Sequence, residues 1–262
     1  MIYIKNLRQI EKMRIAGAKL YEVLQELQRV ISPGMTTAQL DNYAYELIRK
    51  QNAIPSFLEY HGYPATLCTS INEQVVHGIP DEKTVLKQGD VLSVDCGLSF
   101  EGWHADSAFT VGIGEISPQA QTLIADTEKC FWIGARMALA GNRIGDIGQK
   151  IQEYAQEEKG YGVVKALTGH GIGRSLHEDP SVPNFGKAGH GVRMRKGMTI
   201  CIEPMITTGT WMVDEMPNEW TYSTTDQSLA SHYEHTILIN EQGLPEILTL
   251  PGFTWEEDDH EA

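Results

Sequence analysis

The chain carries one pattern twice. Leu86-Lys87-Gln88-Gly89-Asp90-Val91-Leu92-Ser93-Val94-Asp95 aligns with Met194-Arg195-Lys196-Gly197-Met198-Thr199-Ile200-Cys201-Ile202-Glu203, glycine against glycine and Asp95 against Glu203. His104-Ala105-Asp106 aligns with His232-Tyr233-Glu234, and His77-Gly78-Ile79 with His170-Gly171-Ile172. A duplication that repeats both its acids and its His-Gly step predicts one site built about a pseudo-twofold axis. Four carboxylates and one or two imidazoles exceed what a catalytic acid–base pair needs. They suit two divalent cations about 3.5–4 Å apart.

The duplication also bears on domain count. A chain of 262 residues could form one large domain or two. A site shared between halves argues for a single domain over 1–262, with halves at about 1–113 and 114–250. The net charge of −14 argues against nucleic acid or an anionic membrane as partner. Part of that charge lies in a tail at about 255–262, read as solvated. Cys68, Cys96, Cys130 and Cys201 are widely spaced, which fits neither a zinc knuckle nor a disulfide frame. The chain enters a charged helix almost at once and holds no spanning apolar run, so the expected compartment is the cytoplasm.

Each half reads helix, helix, then strands. Leu7, Ile10, Met13, Leu20, Leu24 and Leu27 recur at helical spacing up to Pro33-Gly34. Thr36-Thr37-Ala38-Gln39 resembles a capping box opening a second helix through Leu40, Ala44, Leu47 and Ile48. In the second half Ser117-Pro118 starts a helix expected to reach about Leu139, and Ile147, Ile151, Tyr154 and Ala155 mark another that closes at Gly160. The runs 90–96 and 105–111 predict a hairpin centred near Phe100-Glu101, which would set Asp95 opposite Asp106. In a strand over 231–239, His232 and Glu234 share a face and His235 points away. Pro204 removes a ladder donor, so the preceding strand should end or bend at Glu203.

The stretch Thr168-Gly169-His170-Gly171-Ile172-Gly173-Arg174-Ser175-Leu176-His177-Glu178-Asp179-Pro180 resembles that of type I methionine aminopeptidases of the short form. So do Cys68-Thr69-Ser70-Ile71-Asn72-Glu73, Val76-His77-Gly78-Ile79-Pro80, Ile202-Glu203-Pro204-Met205 and Tyr233-Glu234-His235-Thr236. The resemblance runs from the first helix to about Thr249. It implies the "pita-bread" α/β (α+β) fold, two pseudo-symmetric halves with a curved antiparallel sheet flanked by helices. It implies Asp95, Asp106, His170, Glu203 and Glu234 as ligands of two divalent metal ions, with Asp106 and Glu234 bridging. Such a donor set suits Mn, Fe(II) or Co(II).

The same resemblance implies removal of N-terminal methionine by water acidified between the cations, with Glu203 as proton shuttle. His77 and His177 would contact the scissile amide and support its oxyanion. Tyr60, Tyr63, Cys68, Leu176 and Trp220 would line the methionine pocket, whose soft and aromatic groups suit a thioether. The substrates would be nascent chains with a small second residue. His232 stands where relatives often carry Gln, and is read as support or packing. Cys201, facing the same way as Glu203, is read as buried packing.

Ribosome-docking relatives carry a Lys-rich loop before the last ligand. Here the loop from Gly209 to Glu219 is acidic, and Arg193, Arg195 and Lys196 form the only basic alternative. Weak ribosome association and a monomer are therefore expected. Prolidase or aminopeptidase P relatives, and relatives that lost their ligands to become binding modules, are the competing readings. The first usually carry an extra N-terminal domain, and the second lack ligand types that this chain has.

Overall fold

The structure, a computed structural model, describes residues 2–255. The tail expected from about 255 lies outside them except for Trp255. That residue is packed, with Nε1 donating to the Pro245 carbonyl at 2.8 Å and its ring under the Arg136 guanidinium.

The first half contains α1 (Leu7–Val30), α2 (Thr37–Lys50), β1 (Ile54–Pro55), β2 (Leu67–Ile71), β3 (Gln74–Val76), β4 (Val91–Phe100) and β5 (Trp103–Gly112). The second contains α3 (Pro118–Arg136), α4 (Ile144–Gln152), β6 (Gly162–Val163), β7 (Gly169–Gly171), β8 (Glu178–Val182) and β9 (Thr199–Ile202). It continues with β10 (Met205–Thr207), β11 (Val213–Glu215), β12 (Tyr222–Thr224), β13 (Ala230–His232), β14 (Glu234–Leu238) and β15 (Glu246–Ile247).

Helix starts follow local chemistry. Asn6 with Gln9 and Thr36 with Gln39 form reciprocal capping boxes on α1 and α2. Ser117 caps α3, with Pro118 in its first turn. α3 stops at Arg136, short of the expected Leu139. The amides of Met137 and Ala138 bond three residues back instead, tightening the chain into a turn before Gly141. After α4 the chain widens into a π-helical turn over Glu153–Glu158 before Gly160.

A nine-stranded sheet runs β1-β4-β5-β14-β9-β7-β8, with β2 also on β4 and β15 also on β14. β14 lies between β5 of the first half and β9 of the second. One continuous sheet therefore crosses both halves. Side chains alternate along it. Leu92, Val94, Cys96, Leu98, Ala105 and Phe109 pack with α1 and α2, and Ile200, Ile202 and Ile237 with α3 and α4. The intervening positions, Asp95, Asp106, Cys201 and Glu234, face away from the helices by the two-residue period. A small sheet β13-β10-β6 and another, β11-β12-β3, flank that second face.

Candidate active site

The β4–β5 hairpin turns at Glu101-Gly102, where both residues have positive φ, +50° and +74°. Two such residues make the tight turn whose twist matches the strands. Phe100 therefore pairs with Trp103, Asp95 with Ala108, and Gly97 with Asp106. The two acids share a face but sit diagonally, not opposite as the sequence reading had it. The turn lies one position later than expected, which moves the pairing by two. Small residues make room for the acids. A Cβ on Gly97 would come 3.2 Å from Asp106 Oδ1 and 2.8 Å from the Phe57 ring. Ala108 is in register with Asp95 on one side and with Glu234 on the other.

The second half delivers its groups from separate strands. His170 sits in β7, squeezed between β8 and β9. A Cβ on Gly171 would lie 2.2 Å from the Asp179 carbonyl, so only glycine permits that approach. His170 Nδ1 donates to the Gly171 carbonyl at 2.9 Å. Its Nε2 lone pair is left for the site, 3.6 Å from Glu203 Oε1 and 3.9 Å from Asp106 Oδ2. β9 ends at Ile202 and β10 begins at Met205, the break expected at Glu203-Pro204. Asn184 Nδ2 donates to the Glu203 carbonyl at 2.9 Å.

The expected single strand over 231–239 is instead two, β13 and β14, broken at Tyr233. His232 joins the small sheet opposite Met205, and Glu234 joins the large one. His235 faces α3, bonded to Ser107 Oγ, Thr249 Oγ1 and the Tyr233 hydroxyl. Hydroxyls stitch β5 to β14. Ser107 donates to the Glu234 carbonyl at 2.6 Å, and Thr236 bonds both the amide and the carbonyl of Asp106. These supports were not read from the sequence, where Ser and Thr in a strand carry no distinct signal.

Burial sets the electrostatics. Asp95 is raised to about 7 by desolvation, and desolvation plus neighbouring carboxylates push Asp106, Glu203 and Glu234 well up. His170 and His232 are lowered to about 3 by desolvation, so the rings are neutral and their contacts with carboxylates are not ion pairs. Burying a charge costs several kcal/mol per ion unless it is compensated. Asp95 Oδ1, Asp106 Oδ1, Glu234 Oε1 and His232 Nε2 are buried without a hydrogen-bond partner. Asp95, Asp106 and Glu234 offer oxygens within 4.8 Å of one another. Orphaned oxygens converging beside a lone-pair nitrogen fit divalent cations, which would neutralise the cluster.

A cavity of about 230 Å³ joins these acids to the seven residues expected to contact substrate. Tyr60, Tyr63, Cys68, Leu176 and Trp220 line it together with His77 and His177. Ligand pockets usually measure about 300–1,000 Å³, so this one suits a single side chain. Phe57 and His61 also line it and were not anticipated. A wider cleft of about 700 Å³ shares His77, His170, His177 and Glu203 and carries the site outward past Thr168 and Met205.

His77 has φ +59°, a strained setting for a residue with a Cβ. Thr221 holds it there by donating to its carbonyl at 3.2 Å. Burial, then the nearby His177, lowers His77 to about 4. The Tyr60 hydroxyl lies 2.9 Å from His177 Nδ1. With the phenol as donor, the neutral ring carries its proton on Nε2. Tyr60 thus touches His177 as well as lining the pocket. Lys5 is a further support that the sequence did not announce. Its Nζ meets Glu178 Oε2 at 2.7 Å, both side chains under 5% exposed, while Glu178 Oε1 accepts the amides of Arg174 and Ser175. That pair ties the N-terminal segment to the loop bearing Leu176 and His177.

Cys201 is fully buried, 3.5 Å from Thr236 Oγ1, and its Sγ, a His170 nitrogen and a Glu234 oxygen all lie within 4.8 Å of one another. It also packs in a core cluster with Ile10, Met13 and Ile172, in keeping with the reading as buried packing. The acidic loop forms the exposed hairpin β11–β12 and leaves Trp211, Met212 and Met216 open to solvent. In the basic cluster Arg193 bonds the Gly141 carbonyl and Lys196 pairs with Glu241.

Residues 11–241 match the sequence signature of metallopeptidase family M24. The methionine aminopeptidase of Clostridium acetobutylicum is 52% identical over 250 residues, covering 95% of this chain and 99% of the relative. The crystal structure of methionine aminopeptidase from Thermotoga maritima superposes with a TM-score of 0.92 at 42% identity, covering 95% of this chain and 99% of that one. A Xaa-Pro dipeptidase from Bacillus anthracis gives a TM-score of 0.74 at 23% identity over 94% of this chain and 61% of that one. That more distant likeness is one of fold alone.

Proposed function

The chain belongs to metallopeptidase family M24, among the methionine aminopeptidases, and we propose from that premise that this site removes N-terminal methionine from nascent proteins and peptides with a small second residue. The observation that carries the proposal is the single cavity lined by five potential ligands, two further histidines and an apolar pocket. Asp95, Asp106, His170, Glu203 and Glu234 would hold two divalent ions, Mn, Fe(II) or Co(II) being the candidates. Bound there, such ions lower the pKa of water and stabilise negative charge.

The chain's own groups do the rest. Tyr60, Tyr63, Cys68, Leu176 and Trp220 receive the methionine side chain. The substrate's free α-amine would sit at the metal site, which makes the enzyme an exopeptidase. Glu203 turns Oε1 to His170 and Oε2 to the other side. Held next to the scissile bond, it takes a proton from water and returns it to the departing amine. His77 and His177 donate to the scissile amide as its carbonyl becomes tetrahedral. The relatives at higher identity favour this reading over prolidase-type or non-catalytic alternatives.

The rest of the proposal concerns setting. Among the described residues no helix is long and apolar enough to cross a membrane, and the reading includes a cytoplasmic monomer of one domain. It includes no nucleic-acid partner and weak ribosome association at most. The test is metal analysis of protein purified without chelator, with hydrolysis of Met-Ala-Ser against Ala-Pro peptides. Bound divalent metal and cleavage of Met-Ala-Ser alone are expected. Metal-replete protein that leaves Met-Ala-Ser intact overturns the reading.

A further inference from the structure

Glu203 stands between two imidazoles. Its Oε1 is 3.6 Å from His170 Nε2, and its Oε2 is 3.8 Å from His232 Nε2. The second imidazole is the one that the proposed mechanism does not use, and from the sequence it reads as support or packing. We propose that His232 is a positioning residue for Glu203, its Nε2–H holding the carboxylate oxygen that His170 does not face. The inference rests on the aminopeptidase reading, in which that oxygen is the one left to carry the proton.

The fold aims His232 deliberately. Its amide donates to Thr110 Oγ1 at 3.0 Å, and its carbonyl accepts from the same hydroxyl at 2.7 Å. On its other edge it is in register with Met205, two residues beyond Glu203 in the chain. The small sheet therefore places the ring beside Glu203 by backbone pairing. The ring is 2% exposed, and Nε2 has no hydrogen-bond partner. A buried orphan nitrogen is costly and calls for a partner. The nearest oxygens are Glu203 Oε2 and, at 3.9 Å, Glu234 Oε2. Those distances exceed a hydrogen bond by well under 1 Å, a gap that a small rotation of Glu203 closes.

The geometry favours support over ligation. Asp95, Asp106, His170 and Glu234 all stand on strands of the large sheet, whereas His232 stands on β13 of the small one. Hydrogen-bonding partners of ligating groups typically matter by 10–100-fold in metal affinity or activity.

The experiment compares wild type, His232→Gln and His232→Leu in the full chain. It measures turnover of Met-Ala-Ser with added Co(II), and Co(II) stoichiometry and affinity by calorimetry. Leu matches the bulk but donates nothing, whereas the Gln amide can donate to Glu203. His232→Leu is expected to lose about 10–100-fold in kcat with KM little changed and Co(II) stoichiometry intact. His232→Gln should recover to within a few-fold of wild type. Should Leu impair folding, His232→Asn, whose amide stops short of Glu203, supplies the same comparison.

Equal activity in the Leu and wild-type proteins overturns the proposal, since packing alone then explains the ring. Loss of a bound Co(II) in both the Leu and Gln proteins also overturns it, because His232 is then a ligand. So does a Gln protein as slow as Leu with full Co(II) stoichiometry. Wild-type protein that binds Co(II) but leaves Met-Ala-Ser uncut removes the aminopeptidase reading instead.

Discussion

The two halves of the molecule bring their acids to the site by different means. The first half uses one tight hairpin, so Asp95 and Asp106 come from strands joined by a two-residue turn. The second half uses three separate strands, with His170 in β7, Glu203 past the end of β9, and Glu234 opening β14. The repeated histidines also part company. His170 presents its lone pair to the carboxylates, whereas its counterpart His77 is held at φ +59° on the cavity wall. The first half thus supplies the hairpin and much of the pocket wall, and the second adds Glu203, the group proposed to handle protons. A duplicated fold can keep its paired acids while dividing the labour.

The most severe test of that division is Glu203→Ala. Loss of a proton shuttle alone costs roughly 10²–10⁴-fold, and a ligand goes with it, so kcat should fall at least that far. A variant that keeps a tenth of the wild-type rate with metal restored would show that the second half does not hold the proton-handling group.

His177→Ala separates substrate handling from metal holding. The expected loss in kcat is about 10²–10³-fold, the scale of one oxyanion donor, with metal stoichiometry unchanged. Asp106→Ala, on the hairpin side, should lose bound metal. Should both variants lose metal equally, His177 is a metal ligand and not the substrate-contacting group proposed.

A third, smaller effect concerns the hairpin without metal. Asp95 is raised to about 7 from an ordinary 3.8. A carboxyl raised on folding contributes stability that is full below about 3.8 and is lost as pH climbs through about 7. Asp95→Asn should therefore stabilise chelated protein at pH 8 and do so clearly less at pH 5, where only part of the loss has set in. Melting temperatures at the two pH values decide it, and destabilisation by Asn at pH 8 would refute the sign.

The smallest effect lies on the second half's outer surface. β11–β12 carries Asp214, Glu215 and Glu219 where a phosphate-binding loop needs cations. Co-sedimentation with ribosomes should be weak at low salt and weaker still at moderate salt. Neutralising Arg193, Arg195 and Lys196 should change it little. Tight, salt-sensitive binding that survives that change would refute the loop argument, and binding abolished by it would shift the docking surface there.

Much of this was legible because the chain repeats itself. A Gly followed by an alternating strand ending in an acid, written twice, announces both the pseudo-symmetry and the candidate ligands. What escaped was register and support. Placing the turn on Glu101-Gly102 requires knowing that Glu101 accepts a positive φ, which nothing in its side chain advertises. The break at Tyr233 depends on two sheets competing for one segment, a tertiary effect. Ser107, Thr110 and Thr236 work by bonding strands more than a hundred residues away, and Lys5 by meeting Glu178 across the molecule. Such contacts leave no periodicity to read.

The central position of β14 has a consequence for how the chain assembles during synthesis. The strand that joins the halves is made more than a hundred residues after its partner β5. Until it arrives, β5 and β9 present open edges that can pair with other chains. Contacts spanning such sequence distances close slowly. Glu234, itself a proposed ligand, is the first residue of that strand. On the proposed ligand set, cation capture would wait for completion of the sheet, and a chain truncated before β14 should be both inactive and prone to aggregate.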